Sequence, residues 1–274
     1  MREELMTEAL CWELDAKISA IYAHKAQHLT FFCPDENCLV EVRPKKLKNV
    51  YFYAPTRHEP GCMNEGEKVE SSPVPGVSKP KPSPSLVDPV PTLLGPGPFL
   101  RQKSTPTKAD LLTLARQAKS LPLMHPGTLE EVISAWVAMT SPERSMHPLQ
   151  IGHQRLTYQT AFSFLANASD DVTQLDYQGK IIFGAASIGD GKQYIFVTSK
   201  KTFSHDDQHI PVRLDIKKSA TTTNHLLEHL GNKATFFWHG APYELATSGK
   251  AYLIKPGSNP QYTGVTVREG YLSP

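Results

Sequence analysis

The sequence predicts an α+β chain of two ordered modules joined by a proline-rich linker, and three observations carry that expectation. Three cysteines and a histidine form two short-spaced pairs near the N-terminus, ten of the 23 prolines lie between Ser71 and Pro106, and short alternating segments separated by turn residues follow residue 178. The 274 residues leave room for one or two domains of roughly 150 residues. Apolar residues make up 39%, below the about 45–50% of an ordinary globular chain, so part of the chain is not core. Lys and Arg number 29 against 27 Asp and Glu, a net charge of +2 that excludes a basic arm or an acidic tail as the main device. No apolar run approaches the ~18 residues of a membrane span. The opening Met1-Arg2-Glu3-Glu4-Leu5 does not read as a signal peptide. These features predict a soluble, cytoplasmic protein, and no internal repeat is present.

The first module is expected over residues 1–66. Cys33 and Cys38 are separated by four residues, His58 and Cys62 by three, and 19 residues lie between the pairs. Two ligands on one tight turn can take adjacent corners of a tetrahedron, and a second such pair closes it, so the pattern points to structural zinc at Cys33, Cys38, His58 and Cys62. Pro34 and Asn37 supply turn chemistry in the first knuckle, Pro60 and Gly61 in the second. Between them, residues 39–43 and 49–53 read as strands joined by a basic turn at 44–48. Such a ribbon is too small to bury a core unaided, so metal binding is expected to supply much of its folding energy. Cys11, beside Trp12 on an expected helix, reads as a packed small residue. His24 and His28 are four apart without the glutamate of a metalloprotease motif and read as solvent-exposed.

The succession FFCPDENC, VEVR, YFYAP and RHEPGC resembles the N-terminal zinc-finger region of CoiA-like competence proteins and related modules of bacterial mobile elements, over residues 8–66. In that family a cysteine pair precedes a short strand, an aromatic stretch and a final His/Cys pair. Two departures stand out: the first spacing is four rather than two, and the family's HFAH element appears as Phe52-Tyr53-Ala54-Pro55, so His58 must serve as the histidine ligand. The resemblance implies a bacterial nucleic-acid-handling context and carries over no nuclease.

Residues 67–108 are expected to form a disordered linker. Stretches such as Lys79-Pro80-Lys81-Pro82-Ser83-Pro84 cannot sustain a hydrogen-bond ladder and favour polyproline II. A docking segment for an SH3-like partner is the alternative, anchored by the apolar residues 86–94 and by Phe99 and Leu100.

Residues 109–274 are expected to form an α+β domain. A short helix is predicted over 109–119, and Thr128 with Glu131 forms a capping box that opens another, through about Met139. Residues 156–165 fit both a strand and a helix period. Strands then read at 180–186, 193–199 and 210–217, a helix at 223–230, and strands at 234–239, 250–255 and 264–268. Gly189, Asp190 and Gly191 mark a hairpin turn. Three strands, a helix and two strands is the order of an OB-like β-barrel, placed at about 178–270.

Alternation along the second and third of these strands predicts a single-stranded nucleic-acid face of Lys192, Tyr194, Phe196, Arg213 and Lys217, with Trp238 at the rim. A place for Tyr194 and Phe196 under the preceding helices stays open. Two other functions are carried alongside. One is a metal-dependent nuclease centred on Asp215 and Lys217, with Asp190 or Asp206 and Asp207 as upstream partners; the other is a protein–protein adaptor without nucleic-acid contact. No P-loop, nucleophile elbow or dinucleotide-binding glycine pattern occurs.

Overall fold

The computed structural model describes residues 5–65, 90–96, 104–120, 123–218 and 233–274. Among these, residues 5–65, 90–92, 104–120 and 123–126 form one compact unit, and residues 93–96, 127–218 and 233–274 form another. No helix is long and apolar enough to cross a membrane among the described residues.

The first unit is built on an antiparallel sheet of Glu8–Cys11 (β1), Ala16–Ser19 (β2), Phe31–Phe32 (β3), Glu41–Lys46 (β4) and Val50–Tyr53 (β5), in the order β2-β1-β3-β4-β5. Strand alternation sends Ala9, Cys11, Ile18, Phe31, Val42 and Phe52 to one face, where they pack with Ala20 and Ala23 of the short helix Ala20–Lys25 (α1). The opposite face carries Leu10 and Phe32, covered by Leu111, Leu114, Ala115 and Ala118 of helix Lys108–Ala118 (α2). Thr107 and Asp110 cap α2 reciprocally, each accepting the other's backbone N–H. Each buried leucine of α2 contributes roughly 1.5–3 kcal/mol. The sequence placed this helix at the head of the second module; its apolar stripe instead completes the core of the first. The unit is therefore more than a ribbon, since it buries apolar residues on both faces of its sheet.

Cys11 is a strand residue, not a helical one. The chain reverses at Asp15, whose φ of +49° makes the β1–β2 turn. Burial pushes the Cys11 thiol up to about 12, so it stays protonated and behaves as a packed apolar group.

The second unit begins with Leu93–Leu94 (β6), and the chain enters it again through Pro126–Gly127 (β7). Helices Leu129–Ala138 (α3) and Ser141–Met146 (α4) precede the hairpin Pro148–Ile151 (β8) and Gln154–Thr157 (β9). β6 pairs in parallel with β8, and Leu94 is buried. Of the expected disordered linker, residues 67–89 and 97–103 lie outside the described residues; residues 93–94 correct that expectation, because two leucines find a strand partner within their own unit. The ambiguous stretch 156–165 resolves into the end of β9, one helical turn Tyr158–Ala161 (α5) and Phe162–Phe164 (β10), so both periods were present.

The main sheet contains Ile181–Asp190 (β11), Tyr194–His205 (β12), Gln208–Lys217 (β13), Ala234–His239 (β14), Tyr243–Leu245 (β15), Tyr252–Ile254 (β16) and Gly264–Glu269 (β17). Their order is β15-β16-β13-β12-β11-β14-β17, with β10 parallel to the start of β11. The expected closed barrel is not formed among the described residues. The free edge of β16 is taken by β15 and that of β14 by β17, so the two ends do not pair with each other. The expected helix at 223–230 lies outside the described residues. Ile182, Ile195, Val197, Val212, Phe236, Trp238 and Ile254 share one buried cluster. On the other face, Trp136 of α3 stacks on Phe162 at 4.8 Å and meets the edges of Phe183 and Phe237.

His239, buried at the end of β14, lies with Nδ1 2.9 Å from the Lys180 carbonyl. Burial holds its pKa below the ordinary 6.5, against the smaller opposing pull of that carbonyl and of Asp176. A depressed histidine pKa means that the unfolded chain takes up the proton first. Its stabilisation is therefore complete above about pH 6.5 and is lost as pH falls towards the folded-state pKa. The urea midpoint of the second unit is expected to fall between pH 7 and pH 5, and His239→Asn should flatten that part of the profile. An unchanged profile in the variant would assign the acid sensitivity elsewhere.

Candidate metal centre

The first knuckle follows β3 directly. Cys33 N–H donates to the Val40 carbonyl at 2.8 Å, and the N–H groups of Cys38 and Leu39 both donate to the Asp35 carbonyl, at 2.9 and 3.1 Å. Leu39 turns the chain into β4 with a φ of +53°. The second knuckle closes when Cys62 N–H donates to the Glu59 carbonyl at 3.1 Å, with Gly61 at φ +82°, a conformation that favours glycine.

These turns bring one ligand atom each from Cys33, Cys38, His58 and Cys62 to within 4.8 Å of one another, and the cluster could hold a metal ion. The spacings are specific. Cys33 Sγ lies 3.7 Å from Cys62 Sγ, and His58 Nδ1 lies 3.3 Å from Cys38 Sγ and 3.6 Å from Cys62 Sγ. A tetrahedral ion bonded at about 2.3 Å to sulfur and about 2.0 Å to nitrogen sets S···S edges of about 3.8 Å and S···N edges of about 3.5 Å. These three edges match such an ion, and the four groups together could supply all four of its ligands. All three cysteines are buried and His58 is half-buried.

Burial pushes the Cys33 and Cys62 thiols upward, and the neighbouring sulfurs add to the shift, Cys38 acting on Cys33 and Cys33 on Cys62. A bound cation reverses this, because a coordinating thiol is deprotonated outright. Donors already point at the sulfurs: Asn64 N–H reaches Cys62 Sγ at 3.2 Å, Asn64 Nδ2 reaches Cys33 Sγ at 3.3 Å, and Glu59 N–H lies 3.5 Å from Cys38 Sγ. Such N–H groups stabilise thiolate charge and orient the ligands.

Two residues in this site escape a reading by ligand spacing. Asp35 is buried; one carboxylate oxygen accepts from Asn37 N–H at 2.9 Å within its own knuckle, and the other from Met63 N–H at 2.8 Å beyond the second. Burial pushes its pKa up, but the N–H groups of Met63 and Asn37 outweigh it and hold the carboxyl below the usual range. Asp35 thus ties the knuckles together independently of the ion. The Asp-x-Asn spacing at 35–37 is an Asx-turn signal that marks half of this role. Nothing local marks Asn64.

The six residues expected to contact nucleic acid separate into three groups. Lys192, Tyr194 and Lys217 are exposed, Tyr194 by 38% and directly opposite Lys217 in the β12–β13 register. Phe196 and Arg213 share that outward face, but each already has a partner. The Arg213 guanidinium lies 5.0 Å over the Phe196 ring and donates to both Asp215 carboxylate oxygens, at 2.7 and 2.9 Å. Trp238, expected at the rim, is fully buried: it stacks on Tyr177 at 4.8 Å and its indole N–H donates to the Ala241 carbonyl at 2.8 Å. Both faces of β14 are covered, one by the curled sheet and the other by α3, so none of Phe236, Phe237 and Trp238 reaches water.

Asp215, the centre of the nuclease alternative, has its two oxygens committed to Arg213, and Asp190 pairs with Lys218. Neither belongs to a group of three potential metal ligands among the described residues. Comparison with protein-family models, curated proteins and solved structures returns no match.

Proposed function

We propose that this chain is a non-enzymatic single-stranded nucleic-acid-binding protein whose first unit is held together by a structural zinc ion at Cys33, Cys38, His58 and Cys62. Three sulfurs and one nitrogen at tetrahedral spacing suit zinc, and a shell filled by protein leaves no open position for catalysis. When bound, the ion would cross-link the two knuckles and take up the charge of three thiolates.

The observation that carries the binding function is the outward face of β12 and β13. The helical layer covers Phe183 and Phe237 at one end of the sheet and leaves Tyr194 open at the other, flanked by Lys192 and Lys217. The five strands β11, β12, β13, β14 and β16 lie in the spatial order β16-β13-β12-β11-β14, with β13 and β16 parallel. In an OB-type arrangement the fifth strand likewise runs parallel to the third and the fourth lies beside the first. Here that ring would be opened between the fourth and fifth strands. In OB-folds the face of the second and third strands takes oligonucleotides. The resemblance of residues 8–66 to CoiA-like zinc regions favours a bacterial competence, mobile-element or defence setting.

Fluorescence anisotropy of the full, zinc-loaded chain with a labelled oligothymidylate tests this. Binding that weakens with salt is expected, and Tyr194→Ala should reduce affinity about 5- to 100-fold through loss of one stacked base. Phe196→Ala should cost less, because its ring is already covered by Arg213. Absence of binding would leave the adaptor function standing in its place.

A further inference from the structure

The first unit carries a polarised charge that its total conceals. Residues 1–64 hold eight Lys and Arg against nine Asp and Glu, yet residues 43–57 contain five of those cations and no carboxylate. They form the β4–β5 hairpin and the segment that leads to His58. Alternation turns Val42, Pro44, Val50 and Phe52 towards the core and leaves two rungs outward, with Arg43 opposite Tyr53 and Lys45 opposite Tyr51; Lys46, opposite Val50, falls on the inner face but is exposed at the end of the hairpin. Lys45 Nζ lies 5.6 Å over the Tyr53 ring, and Tyr53 is 40% exposed. Arg43 pairs with Glu41 at 3.0 Å, whereas Lys45, Lys46 and Lys48 have no carboxylate partner among the described residues. Beside Tyr53 a half-open groove of about 360 Å³ runs between β4 and residues 27–31, with Gln27, Thr30, Glu41 and Arg43 in its walls.

We propose that this hairpin is a second single-stranded nucleic-acid surface, with Tyr53 and Tyr51 stacking bases and Lys45, Lys46 and Lys48 holding phosphates. It takes its partner class from the function proposed above but uses a different unit and different residues. Cations set opposite aromatic rings suit a strand of nucleotides, which carries its charged phosphates on one side and its π-faces on the other. A lipid surface would require an apolar face, and Leu47 at the tip is the one large apolar side chain exposed between residues 43 and 52. The polar walls beside Tyr53 offer both donors and acceptors to the edge of an unstacked base. The metal ligands flank the hairpin in sequence, two before β4 and two after β5, so the ion would clamp both ends of the surface it presents.

The test compares full-length, zinc-loaded proteins by anisotropy with a labelled oligothymidylate over a salt series. The K45A/K46A/K48A variant is expected to bind at least tenfold more weakly at low salt. Its log-affinity against log-salt slope should be shallower by about 2, three phosphate contacts at about 0.7 each. Tyr53→Ala should lower affinity about 5- to 100-fold with little change in slope. Zinc content and the thermal midpoint should match wild type, because every substituted residue is exposed. Wild-type affinity and slope in the triple variant would overturn the proposal. If Tyr194→Ala still weakened binding, the second-unit face would stand alone. Loss in the hairpin variants with none in Tyr194→Ala would instead leave the hairpin as the site. Binding to vesicles of phosphatidylserine and phosphatidylcholine without binding to the oligonucleotide would overturn it as well.

Discussion

Stripping the metal from the full chain with a strong chelator is expected to unfold the first unit and leave the unfolding transition of the second in place. Structural zinc contributes about 10–16 kcal/mol in small zinc-dependent folds, comparable to or larger than the roughly 5–15 kcal/mol of a whole domain. The first unit has its own two-sided core, so part of that loss is offset. What remains uncompensated is local: without the ion, the contacts among three buried thiols and His58 reduce to weak S–H interactions, beside the Met63 N–H to Asp35 bond that still joins the knuckles. Cys38→Ser should reproduce the effect without a chelator. Circular dichroism melting, with limited proteolysis to assign each transition, reads the outcome. A first unit that melts at the same temperature with and without metal would reduce the cluster to four packed side chains.

Trp238→Ala is expected to cost the second unit about 3–5 kcal/mol, the usual range for emptying a buried aromatic site. The indole is fully buried, stacks on Tyr177, meets Tyr243 edge-on at 5.7 Å and donates its N–H to Ala241. Tyr194→Ala, on the open face, should stay within about 0.5 kcal/mol of wild type. The two substitutions thus divide the surface from the core on the same sheet. Urea unfolding followed by circular dichroism measures both, and a cost below about 1 kcal/mol for Trp238→Ala would return that ring to the rim.

Local chemistry in this chain could be read from its residues. Ligand spacing at Cys33, Cys38, His58 and Cys62 and the capping box at Thr128 and Glu131 act over a few residues, and each is present in the fold. The hairpin turn expected at Gly189-Asp190-Gly191 forms slightly later, at residues 191–194, where Gly191 N–H donates to the Tyr194 carbonyl; Gly189 and Asp190 stay in β11, opposite Phe196 and Ile195. Features decided by distant contacts were out of reach. Leu10, Leu14 and Ile18 repeat every four residues and imitate a helix, although the chain there forms two four-residue strands around Asp15. Leu93 and Leu94 sit in a proline-rich composition, and their partner strand lies more than 50 residues on. Alternation correctly separates Phe236 and Trp238 from Phe237, but it cannot say that both faces of β14 are covered. Barrel closure depends on which strands occupy the sheet edges: the strand expected at 264–268 forms as β17, but nothing local says that it pairs with β14, and the three-residue β15 carries no strand signal of its own.

Zinc-edge X-ray absorption on the purified full-length chain addresses the metal centre itself. One zinc per chain is expected, with three sulfurs at about 2.3 Å and one nitrogen at about 2.0 Å, and with the metal lost after Cys38→Ser. A substoichiometric metal, or a shell made only of nitrogen and oxygen, would mean that these four side chains do not form a zinc site.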